Sequence, residues 1–232
     1  MKIFYDVDTQ NDFMNKDGAL YVPGAESIKP NLKKLTQYAI KDYIPIVGSV
    51  DKHHGIPEYK HREWELQRWG GPFPDHCMNG TQGEEKITET TTEKLRLKDE
   101  HLPEDLFSRH FLDDYVHKEF LKNAIKEIKQ KSRWKAGLYF EKQSYDVFTN
   151  HSFEEFLKIA DVKEAVVYGV ATDYCVKAAV LGMQKRGIQC YVVKDAIKGV
   201  TPETTKQALE EMVKAGARFI KTKEVLENKL RW

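Results

Sequence analysis

The sequence predicts an α/β fold, a mostly parallel, doubly wound sheet with helices on both faces. Two observations carry that expectation. Short, β-branched apolar runs alternate with longer stretches of helical periodicity. Four of the runs also lead into residues that bear chemistry: Asp8, Asp51 and Lys142 close theirs, and Cys175 lies a few residues beyond the fourth. In a parallel sheet such ends share one edge, and ligands of open α/β sheets bind in the crevice outside that edge.

Ile3 to Val7 reads as the first buried strand. Ser27 to Lys41 follows as a helix, with Ile28, Leu32, Leu35, Tyr38 and Ala39 at helical spacing, Ser27 as N-cap and Pro30 in the first turn. Tyr43 to Val50, Gly137 to Phe140, Ala165 to Val170 and Gln189 to Val193 are the next strands, and Arg218 to Lys221 is a shorter one. Tyr174 to Lys185 carries Val176, Ala179, Val180 and Met183 as a helix before Gly187 stops it. Thr201-Pro202-Glu203 opens another helix, to Ala215, with a cap, a proline and an acid. The stretch from about Lys86 to Lys135 breaks this rhythm. It is highly charged, with a loop at Thr88 to Thr92 and two or three short amphipathic helices in Leu106 to Ile128, whose apolar positions include Phe111, Leu112, Tyr115, Phe120, Leu121 and Ile125. We read residues 1–232 as one domain carrying a helical insertion at about 86–135.

The 37 basic residues nearly balance the 36 acidic ones, so no global charge draws the chain to nucleic acid or to anionic lipid. No apolar run reaches the roughly 18 residues of a membrane span. The three cysteines are odd in number and widely spaced, and the chain starts on a strand-like MKIFYDVD, which points to a reducing cytoplasm. A small molecule is the expected partner.

A cysteine at the start of a helix meets the positive end of the macrodipole and several free N–H groups, an arrangement that favours its thiolate and suits an oxyanion. Cys175 has that placement. A carboxylate such as Asp8 takes the thiol proton and hands it to an amine leaving group, and Lys142 keeps that carboxylate charged. Beside these strands, Asp51 and His53 leave the second strand at i and i+2, and His76 follows in GGPFPDHC. One carboxylate and two imidazoles suit zinc, iron or manganese. Glu58 or Glu65 is a candidate for a further oxygen ligand, and His54 and His61 lie in the same region.

These motifs resemble the isochorismatase-like cysteine hydrolases and, within them, the nicotinamidases. Asp8-Thr9-Gln10-Asn11-Asp12-Phe13 is similar to the family's first motif, and Gly18 to Ala25 to the segment after it. Gly70 to Cys77, with Gly80-Thr81-Gln82-Gly83, resembles the motif of the last metal histidine. Lys142 in EKQSYDVF resembles the catalytic-lysine motif, and Gly169 to Cys175 is the most specific match.

The resemblance implies the family's fold and a catalytic triad of Asp8, Lys142 and Cys175. It further implies a divalent metal, zinc first, on Asp51, His53 and His76, and a cis peptide at Val170-Ala171 with the N–H groups of Ala171 and Cys175 facing an oxyanion. Phe13 and Phe73 would wall a substrate ring, with phenylalanine at 73 where the family often has tryptophan, and Tyr145 would lie near the pocket mouth. The implied reaction is metal-assisted hydrolysis of nicotinamide to nicotinate and ammonia through a thioester, in a homo-oligomer. The stretch between His76 and Lys142 is longer than in compact members. A related cysteine amidase acting on another small amide, and a non-catalytic binding protein on the same fold, are the alternatives.

Overall fold

The computed structural model describes residues 1–94, 114–129 and 136–227. Within them seven strands form one sheet: β1 Lys2–Val7, β2 Ile46–Asp51, β3 Glu93–Lys94, β4 Ala136–Lys142, β5 Glu164–Val170, β6 Gln189–Lys198 and β7 Arg218–Ile220. Their order is β3-β4-β2-β1-β5-β6-β7, and every neighbouring pair is parallel. The helices are α1 Asn11–Met14, α2 Lys29–Lys41, α3 Asp114–Lys129, α4 His151–Ile159, α5 Lys177–Lys185, α6 Pro202–Lys214 and α7 Thr222–Leu226. None of those described is long and apolar enough to cross a membrane.

Parallel strands covered on both faces read as continuous apolar runs, and the side chains then divide by parity. Ile3, Tyr5 and Val7 of β1 join Ala165 and Val167 of β5 in a core beneath α3, α4, α5 and α6. Phe4 joins Val166, Tyr168 and Val170 in a second core on the other face, closed by Leu32, Leu35 and Ala39 of α2 and Val225 of α7. The chain grows outward from β1 in one direction as far as β3 and β4, then crosses back to β5 and grows in the other. The switch point therefore lies between β1 and β5.

The structure refines several expected elements. A 3₁₀ turn over Ala25–Ile28 precedes α2, and the Ser27 hydroxyl donates to the Gly24 carbonyl at 2.7 Å instead of capping the helix. Thr201 does cap α6, accepting from the Thr204 N–H at 3.2 Å. Strand β6 runs five residues past Val193, because a register shift opposite Gly169 lets it resume pairing at Ile197 and Lys198. Helix α4 was not anticipated, although Asn150 caps it and Phe153, Phe156 and Leu157 bury its inner face. Phe111 and Leu112 lie outside the described residues. Asp114–Lys129 is one 16-residue helix, whose Leu121, Ile125 and Ile128 belong to the first core.

Gly169 sits in β5 with φ +120°, and a Cβ there would lie 2.0 Å from the Val7 carbonyl oxygen. Only glycine holds that conformation at that approach. Gly169→Ala is therefore expected to destabilise the fold by roughly 2–4 kcal/mol, read as a lowered urea midpoint. A midpoint within about 0.5 kcal/mol of wild type would contradict the close packing of β5 on β1.

Candidate active site

The strand register assembles the site. Val7 pairs with Gly169 and Asp51 with Lys142, so the chain just past each strand opens onto one crevice at the switch point. Asp8 follows β1 in the left-handed region, φ 47°, a conformation that aspartate tolerates better than most residues. Its N–H donates to the Ser49 carbonyl at 3.1 Å, and the Ser49 hydroxyl donates to Asp8 Oδ1 at 2.7 Å. After β5 the peptide between Val170 and Ala171 is cis. A π-helical turn, Thr172–Val176, then carries Cys175 into α5.

Lys142 is the hub. Its ammonium lies 2.9 Å from Asp8 Oδ2 and 3.6 Å from Cys175 Sγ, and it donates a short hydrogen bond to Asp51 Oδ1. Burial alone would lower its pKa, but the carboxylates of Asp51 and Asp8 outweigh that and hold it well above the usual value. Burial raises the Asp8 carboxyl despite the pull of Lys142. Asp51 goes the other way: Lys142 and the two histidines overcome its desolvation and depress it. Burial also pushes the Cys175 thiol well above its ordinary value, with Lys142 only partly opposing. This corrects the expectation of a thiolate favoured by the helix start. Cys175 is 7 % exposed, two residues before α5, and loss of hydration outweighs the helix end. The resting thiol is protonated and needs a base.

The second cluster adjoins the first through Asp51. Ligand atoms of Asp51, His53, Glu65 and His76 all lie within 4.8 Å of one another, and all four residues are buried. Oδ1 of Asp51 faces Lys142, while Oδ2 lies 3.6 Å from His76 Nε2. Glu65 Oε1 lies 3.7 Å from His53 Nε2 and 4.0 Å from His76 Nε2. The Pro74 carbonyl, 2.8 Å from His76 Nδ1, accepts the proton there and leaves Nε2 as a lone pair facing the carboxylates. Both ring nitrogens of His53 are buried without a hydrogen-bond partner, a costly state for a protein group that nothing else satisfies. Two imidazoles and two carboxylates fit a divalent cation of the zinc, iron or manganese kind.

Of the two glutamates left open by the sequence, Glu58 is exposed and Glu65 is in the cluster. His61 is exposed, and half-buried His54 stacks on Tyr59 at 4.1 Å, outside the cluster. Sequence reasoning missed the residues that fix this geometry. Gln10 reads both backbone groups of Asp51, donating to its carbonyl and accepting from its N–H, each at 2.7 Å. Asp12 accepts from the Cys77 N–H at 2.6 Å and so holds the loop that carries His76. Both lie in the Asp8 to Phe13 motif, which was the available signal.

Burial holds His53 neutral down to a pKa of about 3, whereas Glu65 is lifted to about 7 by burial and by Asp51. His76 is raised, its pairing with Asp51 overcoming desolvation. Protons therefore compete with a cation for Glu65 and His76. Zinc affinity is expected to climb as pH rises from about 5.5 to 7.5, and Glu65→Gln to lower it by roughly 10–100-fold while flattening the climb. Competition with a chromophoric chelator measures both. A Glu65→Gln affinity equal to wild type would remove Glu65 from the ligand set.

A cavity of about 540 Å³, its open mouth included, joins the two clusters. Cys175, Ala171, Asp51, Glu65 and His76 line its depth, and Phe13, Phe73 and Tyr174 its walls. The Phe13 and His76 ring centroids are 5.4 Å apart, and those of Phe73 and Tyr174 are 5.5 Å apart. Tyr145 lines the same cavity and is 38 % exposed.

Comparison with known proteins places the chain in a family. Residues 6–224 match the Isochorismatase domain. The nicotinamidase of Escherichia coli is 26 % identical over 232 residues, which covers 91 % of this chain and 90 % of that protein. The nicotinamidase/pyrazinamidase of Mycobacterium tuberculosis is 25 % identical, covering 95 % and 98 %. Among solved structures, the pyrazinamidase of Pyrococcus horikoshii in complex with zinc superposes with a TM-score of 0.67 at 26 % identity, covering 95 % of this chain and 98 % of that one. With residues 6–224 covered by that match and the fold shared, the chain belongs to the isochorismatase family of hydrolases.

Proposed function

We propose that this protein is a nicotinamidase, hydrolysing nicotinamide to nicotinate and ammonia through a thioester on Cys175. The observation that carries the reading is the meeting of two centres in one aromatic-walled cavity. Cys175, Lys142 and Asp8 lie on one side, and Asp51, His53, Glu65 and His76 on the other.

Cys175 Sγ attacks the carboxamide carbon as its proton passes to Asp8, whose raised pKa makes it a competent base. Lys142 stabilises the charge on sulfur and on Asp8 in turn. The backbone N–H groups of Ala171 and Cys175 receive the oxyanion. Asp8 then protonates the departing nitrogen, which leaves as ammonia. Water attacks the thioester carbon and gives Asp8 its proton, nicotinate departs, and the proton returns to sulfur. Asp51, His53, His76 and Glu65 would hold a divalent cation, which when bound would supply Lewis-acid chemistry at the end of the cavity opposite Cys175. Phe13 and Phe73, which line the cavity, wall the ring.

Ammonia release from nicotinamide, pyrazinamide and a panel of aliphatic and benzoic amides, by zinc-loaded protein, tests the reading. Turnover of nicotinamide at least tenfold above benzamide, which lacks the ring nitrogen, is the expected result. Turnover confined to other amides would assign the same machinery to a different substrate. No turnover across the panel would leave the fold with a binding role.

A further inference from the structure

A second cavity, about 850 Å³ with its mouth included, lies on the far side of Val200, which lines both. Lys194 and Lys198 come to it from β6, Thr201 and Thr205 from the start of α6, Thr172 from the π-helical turn and Pro23 from the turn before α2. Among the described residues neither lysine's ammonium group has an ion pair or a hydrogen bond. The Lys198 side chain lies across the Pro23 turn: a Cβ at Gly24 would sit 3.0 Å from its Cε and 3.2 Å from its Nζ. Thr172 is 1 % exposed, and its hydroxyl is buried with no partner. An orphaned hydroxyl of this kind calls for an explanation.

The carboxylate of this wall is already engaged. Asp173 accepts from the N–H groups of Val200 at 3.0 Å and Thr201 at 3.4 Å, and from the Thr204 hydroxyl. It therefore matches the positive end of α6 from within the fold. The two lysine ammonium groups and the Thr172 hydroxyl have no such counterpart among the described residues, whereas the Thr201 hydroxyl is already held by Thr204. Two separate ammonium groups and hydroxyl donors from different elements suit an anion with oxygens pointing in several directions and close to two negative charges. A planar carboxylate would use fewer of them.

We propose that this cavity binds a phosphate-class anion, free or as the terminal phosphate of a nucleotide. Titration calorimetry of the zinc-loaded protein with inorganic phosphate, against chloride at matched ionic strength, tests it. Saturable binding is expected, weakened roughly tenfold or more in K194Q/K198Q and weakened also in Thr172→Val, with melting temperatures showing both variants folded. K33Q/K34Q, a surface pair on α2, should bind as wild type does. Adenosine 5′-monophosphate distinguishes the sources. Affinity at least tenfold above phosphate, lost in K194Q/K198Q, assigns a nucleotide, and equal affinity assigns free phosphate. Absence of saturable binding, or binding unchanged in K194Q/K198Q, overturns the proposal.

Discussion

Cys175→Ala is expected to lower amide hydrolysis by roughly 10⁴-fold or more, because in the proposed mechanism its sulfur carries the thioester. The remaining cysteines do not substitute for it. Cys77 and Cys190 are fully buried, and neither lines the cavity. Exchange of one sulfur for hydrogen leaves the Lys142 ion pairs with Asp8 and Asp51 in place, so the melting temperature should change little. The measurement is ammonia release beside a thermal melt. Residual activity above about one per cent of wild type, in protein of normal stability, would remove the thiol from the mechanism and point to water attacking directly.

Lys142→Met is the second large effect, and it falls on stability as well as on turnover. Methionine fills a similar volume but leaves the buried carboxylates of Asp8 and Asp51 facing each other without their cation. Removing one member of a buried charge cluster costs roughly 3–5 kcal/mol near neutral pH. The pH dependence contributed by Asp51 should also change sign, while Asp8, already raised in wild type, keeps its sign. In wild type the Asp51 carboxyl is depressed below its ordinary 3.8, so the stability it contributes is present above about pH 4 and lost as pH falls through the lower folded value. In the variant the pair is raised above its unfolded value. Its contribution is then present below about pH 4 and lost as pH climbs through the folded value. Urea midpoints from pH 2 to 8, in chelator so that a cation cannot replace the lysine, measure both slopes. Parallel slopes would mean that Lys142 is not the counter-charge of this pair.

The strands were legible because both faces of the sheet are covered, which makes each strand an unbroken apolar run such as Ala165 to Val170. The polar residue after each run was legible for the same reason: it is where burial by helices stops. That logic located Asp8, Asp51, Lys142 and Cys175. It fails away from the sheet. Glu65 lies in a segment without periodicity between β2 and β3, and only the three-dimensional path of that segment brings it to His53 and His76. Strand β3 is two residues long and has no pattern to read. The thiol of Cys175 was misjudged because helix ends are visible in sequence and desolvation is not.

Lys142 reaches Cys175 across 33 residues, Asp51 across 91, and Ser49 reaches Asp8 across 41. No contiguous quarter of the chain contains the chemistry, and neither half of the sheet does, since the crevice opens where the halves meet. The reacting groups acquire their neighbours only when β1, β2, β4 and β5 have all found register. Local fraying at an outer edge leaves that juxtaposition untouched, whereas any opening between β1 and β5 abolishes it. Each turnover thus certifies a molecule whose central strands are complete, and catalysis in this protein doubles as a reporter of cooperative folding.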